Sequence, residues 1–140
     1  DLLGFYGSTD IAYHLVEGDF GTDPWEDPAF LWEHSPVAHA DDIDEPTLVM
    51  HAENDFRVPV DGAEFLFRAL RKTGTPTRFV RYPREGHELS RSGEPGHVVD
   101  RIERIRRWFD GYSDHHDAPP ALERTPDAGL SAGEDDDDEN

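Results

Sequence analysis

The chain has 140 residues, 35% hydrophobic and 32% charged, which is enough apolar material for one modest core. Thirty-two Asp and Glu against 13 Lys and Arg leave a formal charge of -19, so nucleic-acid phosphate and anionic membrane surfaces are not expected partners. There is no cysteine, which excludes disulfides, thiolate catalysis and cysteine-held metals, and no apolar run reaches the roughly 20 residues of a membrane span.

No signal-like segment opens the chain, so a soluble, cytoplasmic protein is expected, and a start on Asp1 rather than Met fits one piece of a longer protein. Residues 1 to 40 mix aromatics with Gly, Asp and Pro and predict short helices joined by loops. Within them Ser35-Pro36 fits a helix N-cap followed by proline at the first helical position. "TLVMHA", 47 to 52, is a short apolar run without helical period and predicts a buried strand. Ala63, Leu66, Phe67 and Leu70 then fall at helical spacing, with Gly74 as the stop.

"TRFVRYP", 77 to 83, predicts a second strand that ends at Pro83. Val98, Ile102, Ile105 and Phe109 step by four, three and four, which is one face of a helix. On its other face Asp100 precedes Arg104 and Glu103 precedes Arg107 by four residues, the favourable order for helical ion pairs. From residue 113 periodicity gives way to Pro, Gly and a run of six acids, Glu134 to Glu139, and disorder is expected there. Strand, helix, strand, helix implies a parallel pair with a crossover, hence an α/β fold.

Lys72 is the only lysine. Residues 113 to 140 hold ten acids and one arginine, yet residues 1 to 112 still carry -10, so the body is acidic without its tail. Such a surface relieves its self-repulsion with counter-ions and fits a protein adapted to high salt.

Ligands of open parallel sheets bind beyond the carboxyl ends of the strands. Two chemistry-bearing residues fall there: Asp55 in "HAENDFRVP", three residues past the first strand, and His87 in "PREGHELS", four past the second. An Asp that accepts from one imidazole nitrogen fixes the tautomer, while the other nitrogen takes a proton from a nucleophile. That is the acid and base half of a hydrolase triad, in the order found when a serine comes first. A metal site is the competing idea, from His115 and His116 in "DHHD". Adjacent histidines in a floppy tail make no preorganised cage, and His14, His34, His39, His51 and His97 share no ligand spacing, so no metal is expected.

The segments "NDFRVP", "RYPREGH", "LSRSG" and "DRIERIRRWF", preceded by "FGTDPWEDPAFLWEHSPVAHADDIDEPTL", resemble in order and spacing the C-terminal end of a known catalytic domain. It is that of prolyl-oligopeptidase-family serine peptidases, particularly the acylaminoacyl-peptidase-like branch. The resemblance covers residues 1 to 112 and implies the C-terminal part of an α/β-hydrolase fold there, followed by the acidic tail 113 to 140. It implies Asp55 as triad acid, His87 as general base, a peptide substrate and no cofactor. Arg57 would lie near that substrate, or else form a structural pair with a nearby acid. Ala52 and Glu88 stand where the family commonly has glycine.

In the family the nucleophile sits in a Gly-x-Ser-x-Gly elbow upstream of everything matched. The chain is expected to contain no such elbow, and Ser8 in "YGSTD" lacks the second glycine. The chain is therefore expected to supply Asp and His only, with a separate N-terminal part bringing the serine. The alternatives are a truncated, inactive hydrolase-like module that binds a partner through exposed apolar surface, or an esterase-type α/β hydrolase using the same triad.

Overall fold

A computed structural model describes residues 1–112. The acidic tail expected to be disordered, and the paired histidines within it, lie outside the described residues.

The first 42 residues form short helices, as their composition predicts: α1 (Leu2–Ser8), a π-helical turn at Tyr13–Glu17, α2 (Gly18–Phe20), α3 (Pro28–Glu33) and a 3-10 helix at Pro36–Asp42. Asp27 caps α3 by accepting from the Phe30 amide at 3.0 Å, with Pro28 at the first helical position. Ser35 does precede a helix that begins with proline, but its hydroxyl does not cap it. The fully buried Oγ instead donates to the Leu31 carbonyl at 2.7 Å and accepts from the Leu2 amide at 2.8 Å. It therefore ties α1 to the end of α3, a long-range bond that no local pattern announces.

Strand β1 (Thr47–Ala52), helix α4 (Val60–Thr73) and strand β2 (Thr77–Tyr82) follow at the expected places. The strands are parallel, with Thr47 opposite Thr77 and Ala52 opposite Tyr82. Helix α4 packs against both strands. It stops at Gly74, whose φ of 93° is left-handed and whose amide bonds back to the Leu70 carbonyl. A four-residue helix, α5 (Leu89–Ser92), and the long α6 (Pro95–Tyr112) complete the described chain. Ala52, Val80, Tyr82 and Leu89 form a buried cluster with Leu48 and Met50 packed against it.

One expectation of burial fails. Of β1 only Ala52 is buried, because a two-stranded sheet leaves each strand with one unpaired edge. The apolar stripe of α6 is also open: Ile102 is 56% and Phe109 65% exposed. The helix itself forms where predicted, and its outer pairs are present. Arg104 Nε meets Asp100 at 2.7 Å and Arg107 meets Glu103 at 3.3 Å.

Candidate active site

Because Ala52 and Tyr82 are level in the sheet, the chain leaves both strands side by side. The two loops are then joined through their backbones: Glu53 N donates to Tyr82 O at 3.0 Å, and Asn54 N to Glu85 O at 2.8 Å. The path turns at Asp55, one residue past the second bond, and at Arg84, one residue before it. Asp55 closes its turn with its own side chain, Oδ1 accepting from the amides of Arg57 at 3.0 Å and Val58 at 2.8 Å. In the other loop Arg84 takes a left-handed φ of 66°, unusual for a residue with a side chain, and its guanidinium grips both oxygens of Glu94 at 2.8 Å.

The turns bring Asp55 and His87 together. With Oδ1 committed to the backbone, Oδ2 faces Nδ1 of His87 at 3.1 Å. A carboxylate only accepts, so Nδ1 carries the proton and a neutral ring keeps its lone pair on Nε2. Asp55 is 8% exposed and the His87 side chain 45%, so the acid is sheltered while the imidazole stands at the surface. Among the described residues nothing hydrogen-bonds to Nε2. The arrangement can take a proton at Nε2 and stabilise the resulting imidazolium through Asp55.

Arg57, left open between substrate contact and structural pair, has a partner in the structure. Its Nε donates to Asp10 Oδ1 at 2.7 Å and its Nη2 to Oδ2 at 3.4 Å, and this bonding raises the guanidinium's pKa further. The ion pair is half exposed, so it leaves Arg57 open to solvent beside the Asp55 turn. Thr9 Oγ1 donates to the Arg57 carbonyl at 2.6 Å and Asp10 N to the Phe56 carbonyl at 2.9 Å, so the N-terminal segment braces this loop. Glu88 turns to Arg91, its Oε1 accepting from Nη2 at 2.8 Å.

Sequence reasoning missed three groups around this pair. His51, on β1, donates from Nε2 to the Val58 carbonyl at 2.7 Å and lies 3.9 Å from Asp55 Oδ2. Glu85, 6% exposed, accepts at Oε1 from His97 Nδ1 and from the Glu94 amide, each at 2.7 Å. The signal for the last two was weak: a Glu two residues before His87, and a His in the first turn of α6.

No described serine hydroxyl hydrogen-bonds to His87, and Ser8 Oγ donates to the Gly4 carbonyl at 2.8 Å. The five-residue pattern Gly-x-Ser-x-Gly does occur once, as "GLSAG" at 129 to 133, which corrects the expectation that the chain holds no such pattern. It follows His87 rather than preceding it and is led by "ALERTPDA", which has no strand-like apolar run. Residues 129 to 133 lie outside the described residues.

Residues 1–116 match the model of the prolyl oligopeptidase family. An uncharacterized peptidase of Bacillus subtilis, YuxL, is 40% identical over 108 residues, covering 77% of this chain and 16% of that protein. The acylamino-acid-releasing enzyme of Rattus norvegicus is 30% identical over 99 residues, covering 64% of this chain and 13% of its own. Among solved structures, an acylaminoacyl peptidase bound to Z-Gly-Gly-Phe-chloromethyl ketone superposes with a TM-score of 0.77 at 22% identity, over 87% of this chain and 20% of that one. Pyrococcus horikoshii acylaminoacyl peptidase gives 0.76 at 22% identity, with the same coverage. The described chain thus carries the C-terminal part of an α/β-hydrolase fold and spans about a fifth or less of these relatives.

Proposed function

This chain is a member of the prolyl oligopeptidase family, and from that premise we propose that it is the acid- and base-bearing part of a serine peptidase. The observation that carries the reading is the 3.1 Å contact between Asp55 Oδ2 and His87 Nδ1 on a half-exposed imidazole. In the proposed reaction a serine hydroxyl outside residues 1–112 gives its proton to His87 Nε2 as its oxygen attacks the scissile carbonyl. The imidazolium then protonates the leaving amine, and the acyl-enzyme is hydrolysed by a water that His87 activates in turn. Asp55 holds the ring and stabilises its charged form throughout.

The substrate is a peptide, as in acylaminoacyl and dipeptidyl peptidases, and Arg57, steadied by Asp10, contacts it beside the triad. Residues 1–112 act as the catalytic portion and 113–140 as an acidic appendage. The acidic body suits a high-salt cytoplasm. The open edge of β1 and the exposed Ile102 and Phe109 favour a partner that carries the remaining strands and the serine elbow. No helix among the described residues is long and apolar enough to cross a membrane.

The test replaces the matching segment of the Bacillus subtilis relative with residues 1–112 and assays acyl-aminoacyl anilides against simple esters. Anilide hydrolysis that is lost in His87→Ala supports the peptidase. Ester hydrolysis alone points to the esterase. A folded hybrid without either activity points to a binding module.

A further inference from the structure

Among the described residues Glu85, 6% exposed, is the most buried acid that the proton-transfer scheme leaves unused. It sits two residues before His87, and its backbone carbonyl holds the amide of Asn54, one residue before Asp55. Its carboxylate is gripped from the other side by the start of α6, through the Glu94 amide and the His97 imidazole, each 2.7 Å from Oε1. A carboxylate at the N-terminal end of an 18-residue helix is further favoured by the exposed amides there. The His97 ring in turn packs on Tyr82, 5.5 Å between centroids, and Tyr82 donates to Asp100 at 3.0 Å. One residue therefore connects the acid loop, the base loop and the longest helix.

Ligand atoms of Glu85, Glu94 and His97 also lie within 4.8 Å of one another. Both Glu94 oxygens are held by Arg84, and Glu85 Oε1 already accepts twice, so the cluster is a hydrogen-bonded latch and not a preformed cation site. Gly93 is packed against it: a Cβ there would stand 2.9 Å from Glu85 Oε2.

We propose that Glu85 and His97 are positioning residues: together they fasten the His87 loop to α6 and set the register that brings His87 to Asp55. Neither touches the reacting atoms. This inference rests on the reading of Asp55 and His87 as acid and base.

The experiment uses the full 140-residue chain and two NMR readouts: the hydrogen-exchange rate of the Asn54 amide, and the downfield Nδ1 proton of His87. Glu85→Gln keeps an acceptor for both donors, and His97→Asn keeps a donor near the Nδ1 position; both are expected to retain the wild-type pattern. Glu85→Ala and His97→Phe, the latter preserving the packing on Tyr82, are expected to speed Asn54 exchange at least about tenfold and to lose the His87 proton, while α6 amides stay protected. If Glu85→Ala does not fold, His97→Phe decides alone. Unchanged Asn54 exchange in His97→Phe overturns the proposal, as does persistence of the His87 proton there when Asp55→Asn removes it. Asp55→Asn in the otherwise unaltered chain separates the two readings. If it leaves the His87 proton in place, the acid-base reading fails, whereas the latch is still judged at Asn54.

Discussion

Gly93→Ala is a sharp probe of how tightly the base loop is built. The backbone there, φ -66° and ψ 168°, suits any residue, so the substitution carries no torsional penalty. Space is the difficulty: the new methyl would stand 2.6 Å from the Leu89 carbonyl oxygen and 2.9 Å from both Leu89 Cδ1 and Glu85 Oε2. The carbonyl cannot simply withdraw, because it accepts from Gly93 N at 3.2 Å while Leu89 N is held by Gly86 O at 3.0 Å, next to His87. Overpacking of this kind costs about 1–3 kcal/mol. For a unit of this size each kcal/mol moves the melting temperature by about 4–8 °C, so a drop of about 5–20 °C is expected. The comparison is Gly62→Ala inside α4, where a Cβ meets nothing within 4 Å. It removes a helix-interior glycine and is expected to stabilise by up to about 1 kcal/mol. Calorimetry of both variants at one pH reads the difference. Equal melting temperatures would refute the close packing of Gly93 against Leu89 and Glu85.

Tyr82→Phe keeps the ring, 2% exposed, but removes the donor to Asp100. A loss of about 1.5–3 kcal/mol is expected in urea unfolding, since the lost bond is to a charged acceptor. Acid should weaken the chain through two carboxylates. Burial alone would raise Asp100, but hydrogen bonds from Arg104 and Tyr82 outweigh it and hold the group below its ordinary 3.8; a hydrogen bond from Arg84 holds Glu94 below 4.5. A carboxyl depressed on folding contributes stability that is complete above its unfolded value and disappears as pH falls through the folded one. Urea midpoints are therefore expected to fall as the pH drops below about 4.5, and less steeply in Asp100→Asn. Finally, a fluorophosphonate probe is expected to leave the isolated chain unlabelled; adduct on Ser131, absent in Ser131→Ala, would show that the tail supplies a nucleophile.

Local patterns read well wherever the answer was local. The α4 stop at Gly74 needed a left-handed residue, and the strand-helix-strand order forced a parallel pair. Asp55 and His87 were legible because sheet topology delivers both strand ends to one place, whatever the intervening sequence. Exposure of Ile102 and Phe109 was not legible, because a helical period identifies a face but not whether anything covers it. Ser35 and Glu85 were missed as structural ties because each works through bonds between segments far apart in sequence. The partner of Arg57 lies 47 residues away, at Asp10, and many other acids could have served equally well.

The account stands or falls on the contact between the carboxylate and the imidazole acting as one unit. A double-mutant cycle of Asp55→Asn and His87→Ala, measured as kcat/KM for an acyl-aminoacyl anilide in the hybrid that supplies the serine, tests it directly. In a Ser-His-Asp triad loss of the acid's charge costs about 10⁴-fold in turnover, and the members act non-additively. The double variant is accordingly expected to be no slower than His87→Ala alone. Losses that multiply, or an Asp55→Asn hybrid with undiminished activity, would contradict the pairing.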